Sequence, residues 1–133
     1  MSWIVANIRW IMILSGVLTS TMIYAAIAPQ AALAVTFGET LEGPVAQIVV
    51  RNWGALITLI GGMLFYGAFN PLQRSLVLVV AGISKVVFVA LIVSQGQWYL
   101  GHAGIAVVID LVMVALFAWY LLAGKETTFR GRT

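Results

Sequence analysis

Lys85 and Asp110 are the residues best placed to do chemistry, because each interrupts an apolar run long enough to cross a bilayer. A charge at the bilayer centre costs about 3 kcal/mol on insertion scales unless it is paired or wetted. The two runs are consecutive, so the pair is expected to meet, directly or through a water. Two kinds of chemistry are open to it. It can fix the register of neighbouring helices, or Asp110 can take up a proton and release Lys85, as a proton-coupled small transporter requires. His102 lies eight residues before Asp110. At about 100° per residue the two are offset by roughly 80°, so both can border one cavity, and an acid–base role in a lipid-modifying enzyme becomes a third option. Arg51 and Asn52 can reach the same cavity from the second apolar run, and Tyr24 and Thr21 from the first. The expectation is a polar pocket in the outer half of the protein, formed by Lys85, Asp110, His102, Arg51, Asn52 and Tyr24. Lys85–Asp110 would be its floor, and the loop with Glu39 and Glu42 its cap.

Each of these residues also has a purely structural reading. Arg51 can snorkel to headgroups or pair with Glu39 or Glu42, and His102 can be an ordinary interfacial residue. Glu39 and Glu42 read first as a solvated loop, and the terminal Trp and Tyr residues as membrane belts. One His and no Cys leave no zinc constellation. No nucleophile elbow, phosphate loop or dinucleotide turn occurs. No catalytic residue, metal or cofactor is assigned, and the favoured reading is a non-enzymatic protein that binds a small or lipophilic ligand in the outer-half pocket or acts as an accessory subunit of a membrane complex.

The elements that must position these side chains follow from composition. Of 133 residues, 62% are hydrophobic and only 8% charged, and the mean hydropathy is +1.07. Soluble domains carry about 25% charged residues, so this chain cannot clothe a soluble surface. A spanning helix needs about 20 apolar residues. Four such runs use nearly the whole sequence as one transmembrane domain, at about residues 3–28, 45–69, 72–94 and 98–123. Ala26-Ile27-Ala28 and Ala32-Leu33-Ala34 resemble signal cleavage sites, but the first apolar run exceeds a signal core and is expected to be retained. Residues 29–44 form an acidic loop in which Pro29 to Val35 suits a short interfacial helix ended by Thr36-Phe37-Gly38, with Pro44 opening the next span. Asn70-Pro71 and Gln95-Gly96-Gln97 read as tight turns, and residues 124–133 as a frayed basic tail. Gly54, Gly61, Gly62 and Gly67 lack the four-residue spacing of a dimer motif and predict close packing inside one bundle.

Arg9, Arg74, Lys125, Arg130 and Arg132 flank one set of helix ends, while the first loop holds only acids. By the positive-inside rule, both termini are expected in the cytoplasm and the acidic loop outside. The fold class is thus an all-α, integral-membrane, four-helix up-down bundle. On adjacent antiparallel helices joined by a three-residue turn, Lys85 and Asp110 differ in depth by about 4 Å, which a lysine stem spans easily. The partners anticipated are the lipid bilayer, a small lipophilic ligand, and a membrane-protein partner or a second copy. The net charge of +3 suits lipid headgroups rather than nucleic acid.

Four features in order carry a family resemblance: a first span ending in Ala28-Pro29, Phe37-Gly38-Glu39-Thr40-Leu41-Glu42-Gly43-Pro44 in the loop, Arg51-Asn52-Trp53-Gly54 heading the second span, and Ala81-Gly82-Ile83-Ser84-Lys85 in the third. Together they resemble the DoxX-like group of small four-helix bacterial inner-membrane proteins, over about the whole chain. The resemblance implies a four-helix bundle in a bacterial inner membrane, without a settled biochemical role. The cysteines of redox-linked relatives are missing here. Small multidrug transporters are of similar size but carry a Glu in the first span, where this chain has no acid.

Overall fold

The computed structural model describes residues 2–95 and 97–130, with side chains for 3–95 and 97–123. Its elements are α1 (Ser2–Ala6), α2 (Ile8–Ser20), α3 (Ile23–Ile27), α4 (Pro29–Phe37), α5 (Pro44–Phe69), α6 (Arg74–Gln95), a 3₁₀ turn (Gln97–Tyr99) and α7 (Leu100–Arg130). No strand occurs among the described residues. Four stretches are long and apolar enough to cross a membrane: Ile8–Ile27, Pro44–Phe69, Arg74–Gln95 and Gln97–Ala123. Only 17–28% of each such window is buried within the chain. Exposed Leu14, Leu56, Ile83 and Ile105 illustrate the rest, the surface of helices solvated by lipid.

The first span departs from the single helix anticipated over 3–28. Asn7 separates α1 from α2, with its Nδ2 donating to the Trp3 carbonyl at 2.9 Å. Further on, the N–H groups of Met22, Tyr24 and Ala25 each donate three residues back, to Thr19, Thr21 and Met22. The Thr21 hydroxyl returns to the Leu18 carbonyl. A side chain that competes in this way for a helix carbonyl bends the helix. Ala28 then leaves the helical region, at φ −130° and ψ 74°, as a residue before proline favours, and Pro29 opens α4.

The short helix anticipated in the loop is α4. It ends at Gly38, where φ is +76° and the N–H donates to the Ala34 carbonyl at 2.9 Å. Two demands select glycine at that point. A left-handed conformation strains other residues, and a Cβ would lie 2.7–2.9 Å from three atoms of the His102 ring. Pro44 opens α5 as anticipated, and Asn70 closes it, with Nδ2 on the Tyr66 carbonyl at 2.9 Å. α6 starts at Arg74. α7 continues through Gly124 to Arg130, where a frayed tail was anticipated; one glycine costs a helix only about 1 kcal/mol. Gly96 and the end of the tail, 131–133, with Arg132, lie outside the described residues.

α2 and α3 lie antiparallel against α5. Met12 meets Gly67, Gly16 meets Gly61 and Phe65, and Ala25 meets Gly54. A Cβ on Gly54 would stand 2.7 Å from the Ala25 Cβ and the Ala26 nitrogen, so the glycines set the closeness of these two backbones. One apolar cluster joins Ile8, Met12, Leu64, Ala68, Leu78 and Phe117 at what we call the proximal end. Two smaller clusters fill the distal end. One is Ala25, Ala32, Leu33 and Val50, the other Ile92, Ala103 and Val107, and Phe37 packs against both.

Candidate functional site

The polar side chains lie in a layer between the two ends. Lys85 occupies the face of α6 that also carries buried Ala81 and Ile92, and Asp110 the face of α7 that carries Val107 and Met113. The Lys85 Nζ donates to Asp110 Oδ1 at 3.1 Å and to the Thr19 hydroxyl oxygen at 3.2 Å. The side chains are only 8% and 19% exposed. Thr19 and Ser15 are themselves buried on α2. One ammonium thus ties three spanning stretches together.

The sequence reading missed Thr19 in favour of Thr21. The signal was available: Ile8, Met12, Ser15 and Thr19 follow the three- and four-residue spacing of one helix face, and all four are buried. Thr21 is exposed and satisfied by its own helix.

The other anticipated pocket residues are not gathered around this pair. Arg51 Nη1 donates to the Ala26 carbonyl at 2.8 Å rather than to Glu39 or Glu42. The break at Ala28 explains the choice, since carbonyls in the last turn of a helix lack intrahelical partners and attract cations. Arg74 does the same at the end of α5, with Nε and Nη2 on the Gly67 and Ala68 carbonyls at 3.1 and 2.9 Å. His102 is exposed, its ring against Gly38. Asn52 and Tyr24 are exposed on outward faces.

What the distal end holds is an open groove of about 330 Å³ with an almost wholly apolar lining. Leu33 and Phe37 come from α4, Trp53 from α5, Phe88, Leu91 and Ile92 from α6, and Tyr99 from the 3₁₀ turn, with Gln95 as the polar member. Phe37 is the hub. Its ring centroid is 6.2 Å from that of Trp53 and 5.6 Å from that of Tyr99, the latter edge-on at 85°. The Tyr99 hydroxyl donates to the Glu39 carboxylate at 2.9 Å, and Gln30 Nε2 to the Leu41 carbonyl. These two bonds hold the 38–43 loop over the distal end. Phe88 and Ile92 are three and seven residues beyond Lys85 on α6, so the groove opens roughly one turn above the ion pair.

Of the aromatic lining, the sequence reading took Tyr99 for a membrane belt and gave Phe37, Trp53 and Phe88 no shared role, because residues that converge from four elements carry no common spacing. Among the described residues no cluster of His, Asp and Glu is suited to a metal ion. No known protein family, curated protein or solved structure matches this chain.

Proposed function

We propose that the protein is a non-catalytic membrane protein that holds a small lipophilic molecule, or one acyl chain of a lipid, in the distal groove. The observation that carries this is the groove itself. Its volume of about 330 Å³ falls at the lower end of the roughly 300–1,000 Å³ of ligand sites, and such sites are mostly apolar with a few placed polar groups. Gln95, and the Tyr99–Glu39 pair bonded beside it, supply those groups at the rim. The buried charges contribute no lining and have each other and Thr19 as partners. In this reading Lys85–Asp110 is a pin that fixes the walls, not a reacting centre.

The finer placement belongs to the same proposal. The four spans form an up-down bundle with both termini and the proximal arginines on the cytoplasmic side, and the groove faces outward. The host membrane is the bacterial inner membrane in which the DoxX-like group resides. Native mass spectrometry from mild detergent tests the ligand. Wild-type protein should retain a lipophilic adduct. Leu91→Trp, which fills the groove from a half-exposed wall position, should carry one lipophilic adduct fewer than wild type while melting at an unchanged temperature. Equal retention by both proteins, or no adduct on wild type after incubation with a lipid extract, would remove the groove as a binding site.

A further inference from the structure

At the opposite, proximal end, a second pocket of about 300 Å³ is lined by Val5, Ala6, Ile8, Arg9, Trp10, Pro71 and Arg74. It brings together two arginines that are 65 residues apart in sequence. Arg74 is held in place by its Nε and Nη2 bonds to the end of α5, which leave Nη1 with no partner among the described residues. Arg9 is laid over the Phe69 ring, its guanidinium carbon 5.7 Å from the centroid, and has no hydrogen-bond acceptor among the described residues. No described carboxylate lines the pocket: Glu39 and Glu42 belong to the distal loop, and Asp110 pairs with Lys85.

The geometry points to a phosphate-binding site in this pocket that takes the headgroup of an anionic phospholipid. The Arg9 guanidinium, with no hydrogen-bond acceptor among the described residues, can present a fork to two phosphate oxygens, and Arg74, already fixed by its bonds to α5, adds its Nη1 donor with little freedom left to lose. The height of the pocket favours a lipid over a soluble anion. Arg9 and Arg74 stand at the first turns of the stretches Ile8–Ile27 and Arg74–Gln95, where hydrocarbon gives way to headgroups. Trp10 and Phe69 beside them are 67% and 61% exposed, apolar surface on which acyl chains can lie. This site is separate from the distal groove and does not depend on its occupancy.

The test titrates the purified full chain in mild detergent with phosphatidylglycerol or phosphatidylcholine, read by native mass spectrometry, with inorganic phosphate as competitor. Phosphatidylglycerol should bind in preference to phosphatidylcholine. Arg9→Gln should weaken phosphatidylglycerol about fivefold, the factor expected for one arginine at a lipid surface, and should weaken phosphatidylcholine, whose choline cation offsets its phosphate, by less. Arg9 makes no hydrogen bond to the described residues and only the exposed contact with the Phe69 ring, so its substitution should shift the melting temperature little, whereas Arg74→Gln, which removes two bonds to the end of α5, is expected to move both readouts. Displacement of the lipid by inorganic phosphate would keep the phosphate site but assign it to a soluble anion, and failure to displace it assigns the site to lipid. Equal binding of the two lipids, or unaltered phosphatidylglycerol binding in Arg9→Gln, would overturn the proposal. Leu91→Trp should bind phosphatidylglycerol normally, so the two pockets stand or fall separately.

Discussion

Lys85 at mid-span is tolerated because Asp110 and Thr19 meet it within 3.2 Å. Removing one partner from a buried pair leaves an uncompensated charge, at about 3–5 kcal/mol, whereas replacing both by apolar residues is often neutral. Asp110→Asn is therefore expected to destabilise strongly in reversible unfolding from mixed micelles, and Lys85→Met with Asp110→Leu to recover most of the loss. A double variant as weak as the single one would give the pair a role beyond pinning helices. Arg51→Gln should cost about 1–2 kcal/mol in the same assay, the scale of one hydrogen bond from a charged donor. These two interactions differ in legibility. A charge in lipid has few solutions, so the meeting of Lys85 and Asp110 could be read from two positions in a string. Arg51 seeks a backbone carbonyl freed by a helix break, and no side-chain spacing encodes that acceptor.

Among the elements, the second span is the clearest case of sequence setting structure. Pro44 opens it, Asn70 closes it, and its glycines divide by what lies opposite. Gly54 and Gly61 abut Ala25, Ser20 and Gly16, whereas Gly62 has nothing within 4 Å. Gly54→Ala should cost about 1–3 kcal/mol by overpacking. Gly62→Ala should be neutral or stabilise by up to about 1 kcal/mol through helix propensity. Thermal melts of the two variants in one detergent compare them directly, and equal effects would mean that the close approach of α2 and α3 to α5 is wrong. The spans were visible from hydropathy alone, and α4 from Pro29 and Gly38. The break after Ser20 was not, because a hydroxyl that takes up a helix carbonyl, as Thr21 does with that of Leu18, looks innocuous in a hydropathy profile.

Over the whole molecule, the chain stacks an arginine pocket, an apolar cluster, a buried polar layer and an apolar groove along one axis. The sequence reading anticipated polar groups converging on one cavity. The structure instead spends most of them on backbone ends and helix register, and leaves the distal concavity to aromatic and aliphatic side chains. Occupancy of that concavity by a lipophile is the central claim, and Trp53 in its wall reports on it. In a variant with Trp3, Trp10, Trp98 and Trp119 replaced by Phe, fluorescence should be quenched saturably by a brominated fatty acid and restored by its unbrominated parent. A companion protein that keeps only the exposed, outward-facing Trp119 should show shallow, unsaturating quenching from partition into the micelle. Quenching of Trp53 that follows the Trp119 curve, without saturation or competition, would contradict the account.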